Sequence, residues 1–251
     1  MLQSMRDKRP SKTAAFCEKA FSYDAHAIVQ KEAADWLAKW LPEPNEFERC
    51  LELGAGTGLF TEHLIERFAH LEVSDASSAM LEVCNRRAPG LHQRTRNAWT
   101  QQNDPQSWDY LTSSSLLQWA PNPKACLGYW KALLREGGRI LCGFFADPSL
   151  PEMNSILEGE SPVTWRSTEK WIAAVESNGL NVKRIEVDTR RYNYESPLHF
   201  WKSLHGTGAT VSQRMQPSQM LSLFRNYEAR FSNDFGVYAT WTFCRLEISL
   251  D

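Results

Sequence analysis

Three glycines within the nine residues Cys50-Leu-Glu-Leu-Gly-Ala-Gly-Thr-Gly58 mark where ligand chemistry concentrates in this 251-residue chain. A strand-like apolar stretch runs into Gly54, Gly56 and Gly58, and an amphipathic segment follows. Gly54 and Gly56 tolerate backbone angles closed to other residues and let a ligand approach closely, and a helix starting there presents unpaired N–H groups. Taken alone, such a turn also serves nicotinamide and flavin sites. Here the spacing is G-x-G-x-G, not the G-x-G-x-x-G that suits a pyrophosphate. Glu52, two residues before Gly54, is an acid that a diphosphate would not welcome. Asp75 closes the next apolar run, about twenty residues on, where an acid binds ribose hydroxyls. Together they favour a ligand with a ribose, no phosphate and positive charge: S-adenosylmethionine, with its sulfonium and ammonium. The competing reading is a tight strand-to-helix turn with solvated acids.

Other side chains are placed by their neighbourhood. Asn97-Ala98-Trp99 follow the third apolar run, where a polar side chain reaches the adenine amino group. Trp99 either stacks on the base or packs in the core. His26 and His205 are lone histidines, read as capping or packing residues before ligand contacts. Histidines, cysteines and acids never reach a metal-ligand spacing, so no metal is expected. The six cysteines, Cys17, Cys50, Cys84, Cys126, Cys142 and Cys244, form no C-x-x-C pair. Cys50 and Cys142 fall inside apolar runs, where a thiol behaves as a small hydrophobe, and this suits a reducing cytoplasm.

The elements that must position these residues alternate. Strands are expected at Arg49–Leu53, Leu71–Ser74, His92–Arg96, Tyr110–Ser114 and Arg139–Phe145, with helices at Leu59–Phe68, Ala79–Arg87 and Lys124–Leu134 between them. A helix over His26–Leu41 precedes them and stops at Pro42 and Pro44. Residues 1–14 read as a polar, mobile tail and 147–166 as an irregular connection. A helix over Thr168–Ser177, a strand over Val182–Val187, a helical stretch over 196–231 broken near Gly206-Thr-Gly208, and a strand over Val237–Ile248 complete the chain. Alternation of this kind means βαβ units in one domain: an α/β, Rossmann-like, mostly parallel seven-stranded sheet with helices on both faces. The segments 147–166 and 196–231 are expected to form a small helical cap or lid. Trp36, Trp40, Trp130 and Trp171, among ten tryptophans, fall at apolar helical positions and are assigned to cores.

Composition narrows the classes. Apolar residues at 42% and charged residues at 23% describe a globular domain, not a disordered one. A net charge of −2 disfavours nucleic acid as partner. No signal core precedes the domain and no apolar run has membrane-spanning length, so a cytoplasmic protein is expected.

These residues resemble the class I S-adenosylmethionine-dependent methyltransferases. More narrowly, the chain is similar to the malonyl-acyl carrier protein O-methyltransferases of biotin synthesis, the BioC family, from about Phe21 to Glu247. The resemblance rests on Phe21-Ser-Tyr-Asp-Ala-His26, Leu51 to Leu59, Asp75 with Met80-Leu81, and Ser114-Ser-Leu-Leu-Gln-Trp119. It continues through Leu134 to Arg139 and Trp201-Lys-Ser-Leu-His-Gly-Thr-Gly-Ala209. Ala55 stands where the family often has cysteine, and Asn97 where it has aspartate. The resemblance implies a cofactor site of Tyr23, Glu52, Gly54, Ala55, Gly56, Gly58, Asp75, Ala76, Met80, Asn97, Ala98, Trp99 and Ser114.

It also implies methyl transfer to the free carboxylate of a malonyl thioester on acyl carrier protein or coenzyme A. A carboxylate is already ionised at neutral pH, so no general base is nominated. It must be held in line and kept dry. Lys202 and Arg166 are the preferred cations for it, ahead of Arg190, Arg191 and Arg214. Arg190, Arg191, Lys202, Arg214 and Arg225 form a basic set that would steer an acidic carrier. Tyr23 is assigned to orient groups near the sulfonium, Gln118 to hydrogen-bond a ligand, and Trp119 to wall off water or face the cation. Two further readings stay open: methylation of another carboxylic acid or small metabolite, and a non-catalytic S-adenosylmethionine-binding scaffold of the kind found in respiratory-complex assembly.

Overall fold

The computed structural model describes residues 12–44, 46–101, 104–157, 163–209 and 216–250. Its centre is a sheet of eight strands: β1 (Arg49–Leu53), β2 (His70–Asp75), β3 (His92–Thr95), β4 (Trp108–Ser114), β5 (Leu134–Phe145), β6 (Asn181–Tyr194), β7 (Ser232–Asn233) and β8 (Gly236–Ser249). Their order is β3-β2-β1-β4-β5-β8-β6, with the two-residue β7 hairpinned onto β8. The strands from β3 to β5 pair in parallel, and β8 inserts antiparallel between β5 and β6. Seven strands thus make the main path, as the alternation implies, and β7 is an eighth.

Buried-strand character explains β1, β2 and β4. Cys50, Leu51, Leu53, Val73, Tyr110 and Leu111 are almost wholly enclosed, as expected when helices cover both faces. Those helices are α1 (Lys12–Lys19), α2 (Ile28–Ala38), α3 (Thr61–Leu64), α4 (Ser78–Arg87), α5 (Pro123–Leu133), α6 (Pro151–Asn154), α7 (Thr168–Glu176), α8 (Pro197–Gly206) and α9 (Pro217–Phe231). Ser77 and Asn122 cap α4 and α5 through their side chains, accepting from Met80 N and Ala125 N. Pro123, Pro151, Pro197 and Pro217 occupy first-turn positions, where a missing N–H costs nothing.

Four expectations change. The polar tail ends earlier: residues 12–14 already belong to α1, which runs into a 3-10 turn at Ala20–Ala25, because Phe16 finds an edge-on partner in Trp119 at 5.9 Å. Residues 1–11 lie outside the described residues. The helix expected over Leu59–Phe68 contracts to α3. His63 and Arg67 bond three residues back, so the segment winds as turns around that core. The 147–166 connection contains α6, with Leu150 and Met153 buried. The strand expected to stop at Val187 runs on to Tyr194. Beyond the last β5–β8 pair, Phe145 with Phe243, six further pairs join β6 to β8 from Thr189–Thr242 to Tyr194–Val237.

That overhanging ribbon carries the cap. Its residues Val237, Ala239 and Trp241 form one apolar cluster with Phe145, Leu150, Met153, Phe200, Leu204 and Tyr227. Trp36, Trp130 and Trp171 are buried as assigned. Trp40 is not: it is partly covered, with the guanidiniums of Arg184 and Arg245 each 4.2 Å from its ring. Cys50, Cys84, Cys126, Cys142 and Cys244 are free and buried, and burial pushes their thiols up, away from reactive thiolate. Cys17 is half-buried and lies 3.0 Å from Ser77 Oγ.

Candidate active site

The C-terminal ends of β1, β2 and β4 open into a cleft of about 920 Å³, counted to its mouth. The glycine turn forms its floor. Gly54 sits at φ +71°, and a Cβ there would lie 2.7 Å from the Leu116 side chain. Gly56 sits at φ +56° with open space around it, so its backbone angle alone demands glycine. Its N–H donates to Asp75 Oδ2 at 2.9 Å, and Ser77 N–H donates to Asp75 Oδ1 at 2.8 Å. Each carboxylate oxygen keeps a lone pair for a ligand hydroxyl. Burial raises the Asp75 carboxyl above its ordinary value, against the lowering effect of these N–H bonds.

Glu52 lies at the end of β1, 1% exposed, and accepts from Thr61 Oγ1 at 2.6 Å. Burial pushes its carboxyl up to about 8, opposed by the Thr61 bond and reinforced by the Asp75 charge. Two acids therefore line one cleft under conditions that favour neutralisation, and a cationic ligand relieves both. Burial pushes the Tyr23 phenol up as well, with Asp24 and Asp75 adding to the effect, so it stays neutral.

A second, smaller chamber, about 540 Å³ counted to its mouth, adjoins the first. Phe16, Tyr23, Gln30, Ser115 and Trp119 line both and form the junction. Beyond it the walls are apolar and aromatic, with Phe145, Leu150, Met153, Trp165 and Trp241 among them, and Gln118 buried at one side. Gln118 Nε2 donates to the Ser115 carbonyl at 2.7 Å.

The cover over the cleft is tied down by a residue to which the sequence assigns no role. Asp24 accepts from Thr57 Oγ1 in the glycine turn at 2.6 Å and pairs with Arg87 of α4, which also holds Glu62 at 3.1 Å. His26 is a packing residue: its ring lies against Gly206 of α8, and its carbonyl accepts from Ser203 Oγ at 3.2 Å. The early Tyr-Asp-x-His stretch and the late stretch around Gly206 thus meet in space. His205 faces outward.

Of the residues proposed for the cofactor, Tyr23, Glu52, Gly54, Ala55, Gly56, Asp75, Ala76, Met80, Trp99 and Ser114 line the first cleft. Gly58 does not; it packs on Cys84, where a Cβ would lie 3.0 Å from the sulfur. Asn97 is also set back. Its Oδ1 accepts from Trp99 N–H at 2.9 Å and shapes the loop, while the Ala98 carbonyl accepts from Trp130 Nε1 at 2.9 Å. Gln118 and Trp119 line the second chamber.

The described members of the proposed carboxylate cations, Lys202, Arg166, Arg190 and Arg191, do not line the chamber. Lys202 is exposed on α8. Arg166 reaches the Pro121 carbonyl at 3.5 Å and lies 5.9 Å from the Trp171 ring. Arg190 pairs with Asp188 at 2.7 Å, Arg191 sits 4.0 Å over Tyr238, and Arg225 is exposed. Arg214 lies outside the described residues. The basic set is scattered because consecutive strand residues point to opposite sides and α8 turns Lys202 to solvent. Phe16, Gln30 and Thr61 carry no sequence signal of their own; Thr57 and Ser115 fall inside stretches on which the resemblance rests, with no role assigned to them there.

The donor set fits S-adenosylmethionine. Glu52 and Asp75 supply a negative field and a ribose-binding carboxylate, and no cradle of side-chain cations for phosphate appears among the described lining residues. Comparison with known proteins agrees. A family model described as a methyltransferase domain matches residues 25–227. A protein named malonyl-[acyl-carrier protein] O-methyltransferase from Paenibacillus sp. (strain JDR-2) is 27% identical over 252 residues, covering 88% of this chain and 91% of that one. A protein of the same name from Brevibacillus brevis is 26% identical, covering 90% and 91%. Among solved structures, the YcgJ protein of Bacillus subtilis superposes with a TM-score of 0.66 at 15% identity, over 87% of this chain and 97% of that one. A geranyl diphosphate methyltransferase in complex with SAM gives 0.56 at 13%, over 88% and 85%. The last two likenesses show the shared class I fold. Family match, fold and cleft chemistry converge: the chain belongs to the methyltransferase-domain family and is a methyltransferase whose methyl donor is S-adenosylmethionine.

Proposed function

We propose that this chain methylates the free carboxylate of a malonyl thioester carried on acyl carrier protein, the early step of biotin synthesis that the resemblance implies. The observation that carries this reading is the second chamber, which joins the donor cleft at Tyr23, Ser115 and Trp119 and has apolar walls. The relatives named malonyl-[acyl-carrier protein] O-methyltransferase, similar over most of the chain, support it.

Bound S-adenosylmethionine supplies an electrophilic methyl on a cationic sulfur, which an acceptor oxygen takes with its own electron pair while the old bonding pair stays with sulfur. The chain's task is then placement and desolvation. Glu52 and Asp75 hold the cationic, ribose-bearing donor. Tyr23 and Trp119 close the junction around the reacting atoms and exclude water, which would otherwise blunt a carboxylate nucleophile. Tyr23 stays protonated and takes no proton, in keeping with an acceptor that has none to lose.

Intact-mass analysis tests the reading. Malonyl-acyl carrier protein incubated with the chain and S-adenosylmethionine should gain one methylene, and only when the donor is present. No gain on any malonyl thioester, with gain on another free acid, would move the assignment to that acid.

A further inference from the structure

We propose that the acceptor carboxylate is received by uncharged donors, the Trp165 indole N–H and the Ser115 hydroxyl, rather than by a lysine or arginine. The assignment rests on the carboxylate reading above. Four polar side-chain atoms of residues lining the second chamber are buried without a hydrogen-bond partner among the described residues: Trp165 Nε1, Trp241 Nε1, Ser115 Oγ and Gln118 Oε1. Of these, Trp241 Nε1 lies beside the Tyr194 phenol. Buried polar groups are paired in the great majority of cases, so the uncommitted donors of Trp165 and Ser115, which share one cavity, point to a ligand that pairs them. Trp165 Nε1 is a donor only, and the Ser115 hydroxyl can donate. The complementary group is rich in acceptors, and a carboxylate offers two oxygens. Gln118 Oε1 is an acceptor and would repel that group, which keeps the carboxylate on the Ser115–Trp165 side.

Ser115 is built for a fixed position. It follows β4 at φ +55°, a left-handed conformation that costs a non-glycine residue. Its N–H donates to the Gly143 carbonyl at 2.8 Å, and its own carbonyl accepts from Gln118 Nε2 at 2.7 Å. The backbone is pinned on both sides while the hydroxyl stays uncommitted at the junction of cleft and chamber. Trp165 is set by edge-to-face contact with Trp241, centroids 6.2 Å apart. Gln118 is accordingly a positioning residue that acts through Ser115. Neutral donors orient a carboxylate without the strong ion pairing that would lower its nucleophilicity.

Trp165→Phe keeps the ring and removes the N–H; Ser115→Ala removes only the hydroxyl. Each variant should lose at least about tenfold in kcat/KM for malonyl-acyl carrier protein at saturating S-adenosylmethionine. Trp165, which lines the second chamber and not the donor cleft, should leave the calorimetric Kd for S-adenosylmethionine within about twofold when replaced. An unchanged far-UV spectrum and Tm show the Ser115→Ala fold intact. Binding of the methylated product, whose ester is a weaker acceptor, should fall less than binding of the acid. Folded variants that methylate at the wild-type rate with saturating donor would overturn the assignment and leave the carboxylate reading standing. If the wild type methylates a different free acid, that reading's substrate is wrong, and the same variants are scored on that acid. If its only acceptors carry no carboxylate, both ideas fall together.

Discussion

At the residue scale, the site is governed by what burial does to Glu52. An ordinary glutamate is ionised well below neutrality. Here the ligand-free carboxyl is pushed up to about 8, so at pH 7 it is mostly protonated. A bound sulfonium or ammonium favours the carboxylate, so binding must release a proton below pH 8. Affinity for S-adenosylmethionine should therefore rise with pH up to about 8 and then level off. Calorimetry in buffers of different ionisation enthalpy should show that proton release at pH 7, and Glu52→Gln should abolish both the release and the slope. The same shift has a sign for stability without ligand. A folded-state pKa above the unfolded value means stability falls as pH climbs from the ordinary glutamate range to 8, and no further from this group above it.

At the scale of elements, the N-terminal cover and the cap brace each other. The 3-10 turn at Ala20–Ala25 is fixed to the glycine turn through Asp24 and to α8 through His26. An ideal Cβ on Gly206 would lie 2.2 Å from His26 Cδ2 and 2.8 Å from its Cβ, too close to the ring's root for rotation alone to clear. Gly206→Ala should cost about 1–3 kcal/mol by overpacking. His26→Ala in the same chain should recover part of that loss, so the two substitutions are non-additive in a denaturation cycle. Additive effects would mean that the two stretches do not press on one another. The β6–β8 overhang plays the matching part on the other side. Those six pairs beyond Phe145, with the bonds joining Thr240 to Leu150 and Glu152, support the wall carrying Trp241.

At the scale of the whole molecule, donor binding spans elements distant in sequence. The cleft is lined from α1, the glycine turn, the end of β2, the loop after β3 and the segment after β4. A ligand held by all of these binds the folded state and not the unfolded chain. At a hundredfold excess over Kd it adds about 2.7 kcal/mol, which for a chain of this size raises Tm by roughly 5–11 °C. Thermal melts with and without S-adenosylmethionine check this. An unchanged Tm at saturating donor would contradict the cofactor site itself. S-adenosylhomocysteine lacks the positive sulfur that Glu52 and Asp75 favour, and should shift Tm less at equal concentration.

How much of this was written in the chain differs by region. The order of strands, the glycine turn and the acids Glu52 and Asp75 were legible because they are local: an apolar run must become a buried strand, and a G-x-G-x-G turn leaves an acid before it and another at the next strand end. The end of β6 was not, since Asp188 to Tyr194 is polar and becomes strand only because β8 lies beside it to pair with. Nor was the part played by Asn97, whose side chain turns back on its own loop. Lys202 and Arg166 looked suitable by charge, but which way a charge points depends on the face its element buries, and both are turned from the chamber. Phe16 and Trp165 are ordinary residues in sequence, and Asp24 and Ser115 sit inside stretches that carry the resemblance without showing what they touch. By itself the sequence determined the fold class and the donor, because nearest-neighbour patterns carry both. Tertiary structure alone decided the second chamber, because its walls come from segments more than a hundred residues apart that meet only once the sheet has assembled.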